Sequence, residues 1–268
     1  MIPRVRQPSI HELGSDLLCV SPRNLLVAIG RPFLCFGAYW FFAYSRWWVP
    51  AILAVAGLQF FTYTSASHDL VHRTLRIPRG INESLLALSE GLAMRSGHAF
   101  RITHLHHHRH LAAESDVEAN GATGSLWQAL LCGPGYQTRL FRWAWARARG
   151  NERRWMTLEA GTAFVFGVAA ILLWSSVPQL GIYALLVTTS AWFYPAATVW
   201  WPHHGADELT LTGTRAFRGD LLPALLFQHT YHLEHHLYPM VPAHQWAELG
   251  RRLDPYLCES GVVPVQLP

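Results

Sequence analysis

Residues 47–67 have the sequence WWVPAILAVAGLQFFTYTSAS, which contains no charged residue. This run leads directly into SHDLVH, the motif that carries the histidine pair His68 and His72. At a rise of 1.5 Å per residue, about twenty residues of helix cross the roughly 30 Å hydrocarbon core of a bilayer. The run is therefore predicted to be a membrane-spanning helix whose end carries His68 and His72.

Two further apolar stretches predict three more spans. Residues 25–45 are apolar apart from Arg31, which lies near the start, where its side chain can reach the interface. Residues 160–206 are uncharged and too long for one crossing, and small and helix-breaking residues near Pro178 divide them. We predict spans near 25–45, 47–67, 158–176 and 180–201. The expected fold class is an all-α integral membrane protein with four transmembrane helices in two hairpins.

Composition and arginine placement support this topology. Hydrophobic residues make up 51% of the chain and charged residues 14%, whereas soluble domains carry about 25% charged residues. Spans this long and this rich in Trp and Phe seldom suit the alternative, four buried helices of a soluble protein. All of the 21 arginines except Arg31 and Arg46 lie in the N-terminal, central and C-terminal segments. The positive-inside rule then places these segments and both termini in the cytoplasm and explains the net charge of +4 without nucleic acid.

The domain organisation follows from the same pattern. We expect one domain over residues 1–268, with residues 1–23 as a cytoplasmic N-terminal segment and a cytoplasmic helical cap. Residues 126–149 mix Leu and Trp with arginine, which predicts an interfacial helix broken at Gly133-Pro134-Gly135. The four cysteines are scattered without metal-binding spacing, which argues against a disulfide framework or a zinc ribbon.

Four groups of histidines lie on the predicted cytoplasmic side: HDLVH at 68–72, HLHHHRH at 104–110, WPHH at 201–204 and HTYHLEHH at 229–236. Histidines four residues apart on a helix share a face, with Cβ atoms about 5–6 Å apart, so they can bind one metal. Any one such group is more often incidental. Together, on one side of the membrane and next to span ends, they predict a histidine-rich site for two metals.

The number and type of ligands favour iron. One four-coordinate zinc cannot use so many imidazoles, and copper(I) or an iron–sulfur cluster requires sulfur ligands that the cysteines do not offer. The zinc-protease pattern HExxH is absent, because Asp69 stands where its glutamate would be. A zinc membrane hydrolase would leave most histidines unused. A histidine-rich metal transporter requires ionisable groups inside the spans, where the sequence offers only Arg31, Gln59 and hydroxyls.

The ordered motifs SHDLVHR, THLHHHRH, WPHH and TYHLEHHLYPMVP resemble those of the membrane fatty acid desaturase and hydroxylase superfamily, over roughly residues 30–245. Within it, the chain is most similar to bacterial carotenoid (β-carotene) hydroxylases, with the ketolases nearby. The resemblance implies two non-haem iron ions and a set of nine ligands: His68, His72, His104, His107, His108, His203, His232, His235 and His236.

The residues around these ligands give further expectations. Asp69, Glu234 and Asp116 are candidates to orient the ligands through hydrogen bonds. Asp116 and Glu118 lie in AAESDVEA, which stands where such enzymes carry a more acidic run, and Thr230 stands where they often have Asn. Five further histidines match no liganding position and are expected to be solvated or to support the ligands: His106, His110, His204, His229 and His244.

The resemblance also implies the chemistry. With O₂ and two reducing equivalents, such enzymes abstract hydrogen from an unactivated C–H bond and form a hydroxyl group or a double bond. We expect hydroxylation of a carotenoid β-ring by an enzyme of the bacterial inner (plasma) membrane. The alternatives are an acyl-lipid or fatty acid desaturase and a carotenoid ketolase.

The expected partners are a lipophilic substrate that arrives through the bilayer and an external electron donor such as ferredoxin, because the sequence carries no flavin or nicotinamide motif. The donor is expected to dock on Arg147, Arg149, Arg153 and Arg154. Aromatic residues that could line the path of the substrate are Phe60, Phe61, Tyr63, Trp192, Phe193, Trp200 and Trp201.

Overall fold

The structure is a computed structural model that describes residues 6–111, 113–120, 124–205 and 211–268. Within these ranges it is almost entirely helical, and the two strands are two residues long each. The α-helices are α1 (Ile10–Leu13), α2 (Pro22–Tyr44), α3 (Trp48–Phe61), α4 (Ser67–His72), α5 (Arg79–Leu92), α6 (Gly97–His110), α7 (Leu126–Arg147), α8 (Gly150–Leu172), α9 (Pro178–Ser190), α10 (Trp201–His203), α11 (Leu221–Leu225), α12 (His232–Leu237) and α13 (Trp246–Glu259). The strands are β1 (Phe217–Arg218) and β2 (Val265–Gln266).

Four helical stretches are long and apolar enough to cross a membrane, which confirms the all-α membrane fold. They are Pro22–Tyr44, Trp48–His72, Gly150–Leu172 and Pro178–His203. The second and fourth run on through the histidines at their ends, whereas the third begins at Gly150, ahead of its apolar part, with a charged first turn at Glu152.

Two of these stretches are interrupted by π-helical turns. Thr62–Ala66 connects α3 to α4, and Pro195–Trp200 precedes α10. A π-helical turn accommodates an extra residue within a helix and is frequent at functional sites. Here each turn lies within a few residues of a histidine box, so both ligand-bearing helix ends are reached through irregular backbone.

The spans pack around a small aliphatic and aromatic core. Tyr39 of α2, Leu58 of α3 and Val187 of α9 are fully buried in one cluster. The outer surface of α8 is apolar instead, with Phe164 and Ile171 more than 70% exposed. Exposed side chains of this kind suit contact with lipid rather than water.

The expected break in the central helix is wrong. Helix α7 is continuous from Leu126 to Arg147, with Pro134 inside it. Gly133 serves a different purpose, because a Cβ atom at this position would lie 2.1 Å from the carbonyl oxygen of Trp192. The glycine therefore allows α7 to pack against the fourth span, while Pro134 costs the helix one main-chain hydrogen bond.

The C-terminal segment closes on itself and packs against the N-terminal segment. Strands β1 and β2, both within the C-terminal segment, pair in parallel, with Phe217 opposite Val265. The N-terminal segment packs on α13, where Arg252 forms an ion pair of 2.7 Å with Asp16 and Leu17 is fully buried. These contacts hold together the segment that contains α12, the helix that carries the last histidine box.

Candidate metal centre

The structure brings all nine predicted ligand histidines together in two adjoining clusters. In each cluster the candidate ligand atoms lie within 4.8 Å of one another. The five-histidine cluster consists of His68, His72, His104, His108 and His235, and the four-histidine cluster of His107, His203, His232 and His236. The clusters adjoin where the rings of His108 and His236 lie 4.5 Å apart.

The HDLVH helix is held at its C-terminal end. Helix α4 ends at Arg73, which has a left-handed φ of 56°. The Leu70 carbonyl, which lies between the two ligand positions, accepts hydrogen bonds from Asn82 at 2.8 Å and Arg101 at 3.1 Å. These donors supplement the weak hydrogen bond of 3.3 Å that the Arg73 N–H gives to the same carbonyl at the helix end, and they fix the direction in which His68 and His72 point.

The ligand nitrogens of the five-histidine cluster are spaced as around a shared cation. His68 Nε2 lies 3.0 Å from His235 Nε2 and 3.2 Å from His104 Nε2. His108 Nε2 closes the ring, at 2.7 Å from His235 Nε2 and 3.2 Å from His104 Nε2. An imidazole Nε2 either donates its one hydrogen or accepts with its one lone pair, but not both, so hydrogen bonds can account for at most two of these four contacts. Metal–nitrogen bonds of about 2.1 Å at right angles give separations of about 3.0 Å.

Buried nitrogens without partners point the same way. His72 Nε2 and His203 Nε2 are buried and have no hydrogen-bond partner among the described residues. The other ring nitrogen of His203, Nδ1, donates a hydrogen bond of 3.0 Å to the Gly213 carbonyl. The lone pair of its Nε2 is therefore free to bind a metal. The spacing of the nine residues and the tautomer of His203 thus fit a pair of metal ions.

Two carboxylates orient ligands of the second box. His107 Nδ1 lies 2.8 Å from Asp116 Oδ2, and His104 Nδ1 lies 3.1 Å from Glu118 Oε2. Both carboxylates are buried, and Glu118 also accepts a hydrogen bond of 2.8 Å from Thr103. A carboxylate that accepts the second ring N–H fixes the tautomer and makes the imidazole a stronger ligand. The loop at 113–120 therefore supplies one such partner to each cluster.

The protonation of the ligands outside the spans also suits metal binding. Burial, together with repulsion between neighbouring histidines, lowers the pKa values of His108, His232, His235 and His236, so these imidazoles stay neutral near pH 7. At His107 burial lowers the pKa, but the hydrogen bond to Asp116 and the negative charges of Glu118 and Asp116 together outweigh it and raise the pKa overall.

Two of the three expected orienting carboxylates have other partners. Asp69 accepts hydrogen bonds from the Thr74 hydroxyl at 2.8 Å and the Ala243 N–H at 3.0 Å. Glu234 forms an ion pair of 2.7 Å with Arg218. Neither hydrogen-bonds a histidine among the described residues. The two carboxylates connect chain segments instead. Asp69 connects α4 to the segment before α13, and Glu234 connects α12 to β1.

The five histidines that the sequence analysis did not assign as ligands lie outside both clusters. His106 and His110 stack on one another at 4.0 Å on the surface of α6, and His204 stacks on Trp200 at 4.7 Å. His244 is exposed. His229 lies within hydrogen-bond distance of Ser65 Oγ, at 3.3 Å, and burial, reinforced by the charge of Arg31, lowers its pKa to about 3.

Sequence reasoning missed two buried polar groups. His98 lies between Glu159 at 2.7 Å and Glu83 at 2.8 Å and is not a ligand. Arg95 forms a buried ion pair with Glu90 and also hydrogen-bonds Gln59, which explains the polar residue in the second span. Single residues at unremarkable spacing gave no sequence signal for either group.

A cavity of about 80 Å³ borders both clusters. Two histidines of each cluster form part of its wall: His68, His104, His107 and His232. Of the aromatic residues expected to line a substrate path, Tyr63 and Trp201 line it, together with Phe217 and Trp246. The other five expected residues do not line this cavity, and Phe60 and Phe61 pack against Phe227 instead.

The sequence of the chain matches a known protein family. The fatty acid desaturase family profile matches residues 45–267, a range that includes all nine clustered histidines. No curated protein matches the chain. Members of the matched family are non-haem di-iron oxidoreductases of membranes, in agreement with the spans and the clusters. The chain therefore belongs to the fatty acid desaturase family.

Proposed function

We propose that the nine clustered histidines hold two iron ions, and that the protein uses O₂ to oxidise an unactivated C–H bond of a lipophilic substrate. The observation that carries this proposal is the pair of adjoining histidine clusters on the wall of one largely aromatic cavity. Imidazole ligands suit iron, and open coordination positions on iron allow O₂ chemistry. The iron pair supplies the oxidising power, and the chain supplies ligands, orientation and a cavity that limits access of water.

The substrate that we favour is the β-ring of a carotenoid. Tyr63, Trp201, Phe217 and Trp246 give the cavity flat aromatic walls, which suit a ring and a conjugated chain better than a flexible acyl chain. The membrane spans place the protein where such a lipid is dissolved. An acyl-lipid desaturase uses the same metal centre and is the second candidate, followed by a ketolase.

The substrate is tested by expressing the chain in a bacterium that makes β-carotene, together with a ferredoxin and its reductase. We expect mass spectrometry of the extracted lipids to show carotenoids that have gained hydroxyl groups, and none in cells with the His235→Ala variant. Formation of keto carotenoids would identify the protein as a ketolase. Fatty acids that lose two hydrogens, with carotenoids unchanged, would contradict the carotenoid substrate and support the desaturase.

We further propose that an acidic electron carrier, such as a ferredoxin, docks at the junction of α7 and α8. Arg147, Arg149, Arg153 and Arg154 are all exposed there. The Arg147 guanidinium lies 3.8 Å from the centre of the Trp143 ring, and Trp143 contacts His106 on the ligand-bearing helix α6. The four arginines therefore combine positive charge with a short path for electrons to the second histidine box.

Charge reversal tests the docking site. The double variant Arg147→Glu/Arg153→Glu should slow turnover at limiting ferredoxin about tenfold or more, since complementary charge governs association. Arg46→Glu is the matched control, because Arg46 lies in the loop at the opposite end of the spans. Equal rates in all three proteins would place the donor elsewhere.

The proposed location is the bacterial inner membrane, with both termini in the cytoplasm. The positive-inside distribution of arginine supports this orientation. Alkaline phosphatase fused to the C-terminus should be inactive, because that enzyme requires the periplasm. An active fusion would show that the C-terminus lies in the periplasm and would contradict the proposed orientation.

A further inference from the structure

Arg31 lies inside the first span without a counter-ion. It follows Pro22, the first residue of α2, by nine residues, which is about 14 Å along the helix axis. Among the described residues, no carboxylate forms an ion pair with Arg31 and no oxygen accepts a hydrogen bond from it. A guanidinium carries five N–H donors, and charged side chains within a membrane usually have a partner. The protein itself supplies no such partner here.

Two aromatic rings hold the guanidinium in place. Its central carbon, Cζ, lies 4.7 Å from the centre of the Phe227 ring and 5.2 Å from the centre of the Phe61 ring. The two rings also contact each other, with their centres 4.9 Å apart. The ring electrons attract the positive charge, but they do not occupy its N–H donors as oxygen acceptors would. The side chain is therefore positioned while its hydrogen-bonding capacity stays unused.

The position of Phe227 depends on an unusual turn. Phe227 and Gln228 have left-handed φ values of 48° and 70°, a conformation that bulky residues seldom adopt. The Gln228 N–H donates to the Pro223 carbonyl at 2.8 Å and closes the turn. The Phe227 side chain is 41% exposed although it is apolar. The turn thus presents the ring at the surface, against the guanidinium.

The face of α2 that carries Arg31 is exposed and apolar. Val27 and Leu34, four residues before and three residues after Arg31, share its side of the helix and are 38% and 73% exposed. Exposed apolar side chains on a span suit contact with lipid. Side chains of a helix point towards its N-terminus, so the guanidinium is directed towards the lipid headgroups on the side of the histidine boxes.

We propose that Arg31 binds the phosphate of an anionic phospholipid whose acyl chains lie along the exposed face of α2. A guanidinium donates parallel hydrogen bonds to phosphate oxygens, and basic sites between the elements of membrane proteins bind such headgroups. No described carboxylate pairs with Arg31 and could bind the ammonium group of a zwitterionic headgroup. The site is separate from the cavity at the metal clusters, because Arg31, Phe61 and Phe227 do not line that cavity.

A lipid at Arg31 would stabilise the approach to the last histidine box. The Phe60 ring contacts both Phe227, at 6.1 Å, and His229, at 5.1 Å. His229 lines the cavity beside the clusters and precedes α12 by two residues. The bound lipid would thus fasten the turn at 226–229 to the first span. We therefore expect the lipid to raise the unfolding midpoint of the whole protein.

The test uses the full-length protein, purified in detergent, with binding of added lipids measured by native mass spectrometry. The probes are phosphatidylglycerol, which is anionic, phosphatidylcholine, which is zwitterionic, and oleate, which carries a carboxylate. Arg31→Met removes the charge and keeps an unbranched side chain, and Arg31→Lys keeps the charge without the planar fork. Arg46→Met is the matched control, because Arg46 is an exposed arginine at the other end of the same span.

We expect the wild type and Arg46→Met to bind phosphatidylglycerol about tenfold more tightly than phosphatidylcholine, as a charge-assisted hydrogen bond gives. Arg31→Met should lose this preference, and Arg31→Lys should keep only part of it. Equal binding of the two phospholipids to the wild type would overturn the proposal, as would a preference that survives in Arg31→Met. Tighter binding of oleate than of phosphatidylglycerol would assign the site to a carboxylate instead.

Unfolding midpoints separate a lipid from a free anion. Phosphatidylglycerol should raise the midpoint of the wild type more than that of Arg31→Met, whereas inorganic phosphate should raise neither. An equal rise with inorganic phosphate would show a site for a free anion and contradict the lipid. These measurements require no turnover, so they test the lipid site whether or not the protein oxidises a carotenoid.

Discussion

The two histidine clusters share helices but differ in the number of histidines. The box on α6 gives His104 and His108 to the five-histidine cluster and His107 to the four-histidine cluster, whereas α12 gives His235 to the first and His232 and His236 to the second. A six-coordinate metal with five protein nitrogens would keep one open position, whereas one with four would keep two. If the clusters hold metal ions as proposed, the four-histidine cluster would have more room for O₂ and less redundancy against the loss of a ligand.

Removal of single ligands gives the largest expected effect and tests this asymmetry. His203→Ala leaves three nitrogens in its cluster and should lose one of the two iron ions, with turnover reduced about a thousandfold or more. His72→Ala leaves four nitrogens and should retain both ions, with a smaller loss of activity. Elemental analysis of purified protein measures the iron, and the rate of substrate oxidation measures turnover.

His204→Ala is the matched control, since His204 is the neighbour of His203 but stacks on Trp200 outside the clusters. It should keep both ions and near-normal activity. Equal iron loss in His72→Ala and His203→Ala would show that the clusters do not differ in redundancy.

The carboxylates behind the ligands give the next largest effect. Asp116→Asn removes the negative charge of the group that accepts from His107 and should weaken iron binding at the four-histidine cluster about 10–100-fold. Glu118→Gln should act on the five-histidine cluster through His104. Titration of apo-protein with Fe²⁺, followed by Mössbauer spectroscopy of partly loaded samples, shows which cluster is affected. Glu114→Gln, at an exposed residue of the same loop, should change neither, and identical spectra for the first two variants would refute separate roles.

The smallest effect concerns His229, a partly buried histidine that belongs to neither cluster. Burial and Arg31 lower the pKa of His229 to about 3, against about 6.5 in an unfolded chain. Below pH 6.5 the unfolded state therefore binds a proton that the folded state does not, and stability falls as the pH falls. Between pH 6.5 and 5 this amounts to at most about 2 kcal/mol, and less where cavity water reaches the ring.

Unfolding midpoints measured at pH 7 and pH 5 should therefore differ less in His229→Gln than in the wild type, with both iron ions retained. Iron loss in this variant would mean that His229 contributes to a cluster after all. An unchanged pH dependence would show that the ring is already solvated in the folded protein.

Much of the fold followed from the sequence because its signals are periodic or compositional. Four apolar stretches predicted the spans, and HxxxH and HxxHH spacing predicted which histidines share a helix face. Tertiary partners were harder to predict. Asp69 and Glu234 stand beside ligands in sequence, yet their carboxylates hydrogen-bond or pair elsewhere, because side-chain direction depends on packing between distant segments. Gly133 suggested a break in α7, but its role is close approach to Trp192, which no local pattern reveals.

The π-helical turns each take up one extra residue in a span. A regular helix turns by about 100° per residue. If residues 62–66 adopted regular geometry at unchanged length, the residues after them would rotate by about that angle, and His68 and His72 would leave the face on which the other clustered histidines converge. Loss of one codon within 62–66 would instead remove the extra residue and leave His68 and His72 in nearly the same orientation. The same holds for His203 after the turn at 195–200. Among variants of this chain, a one-codon deletion at these turns is therefore expected to be tolerated better than a one-codon deletion elsewhere in the same spans.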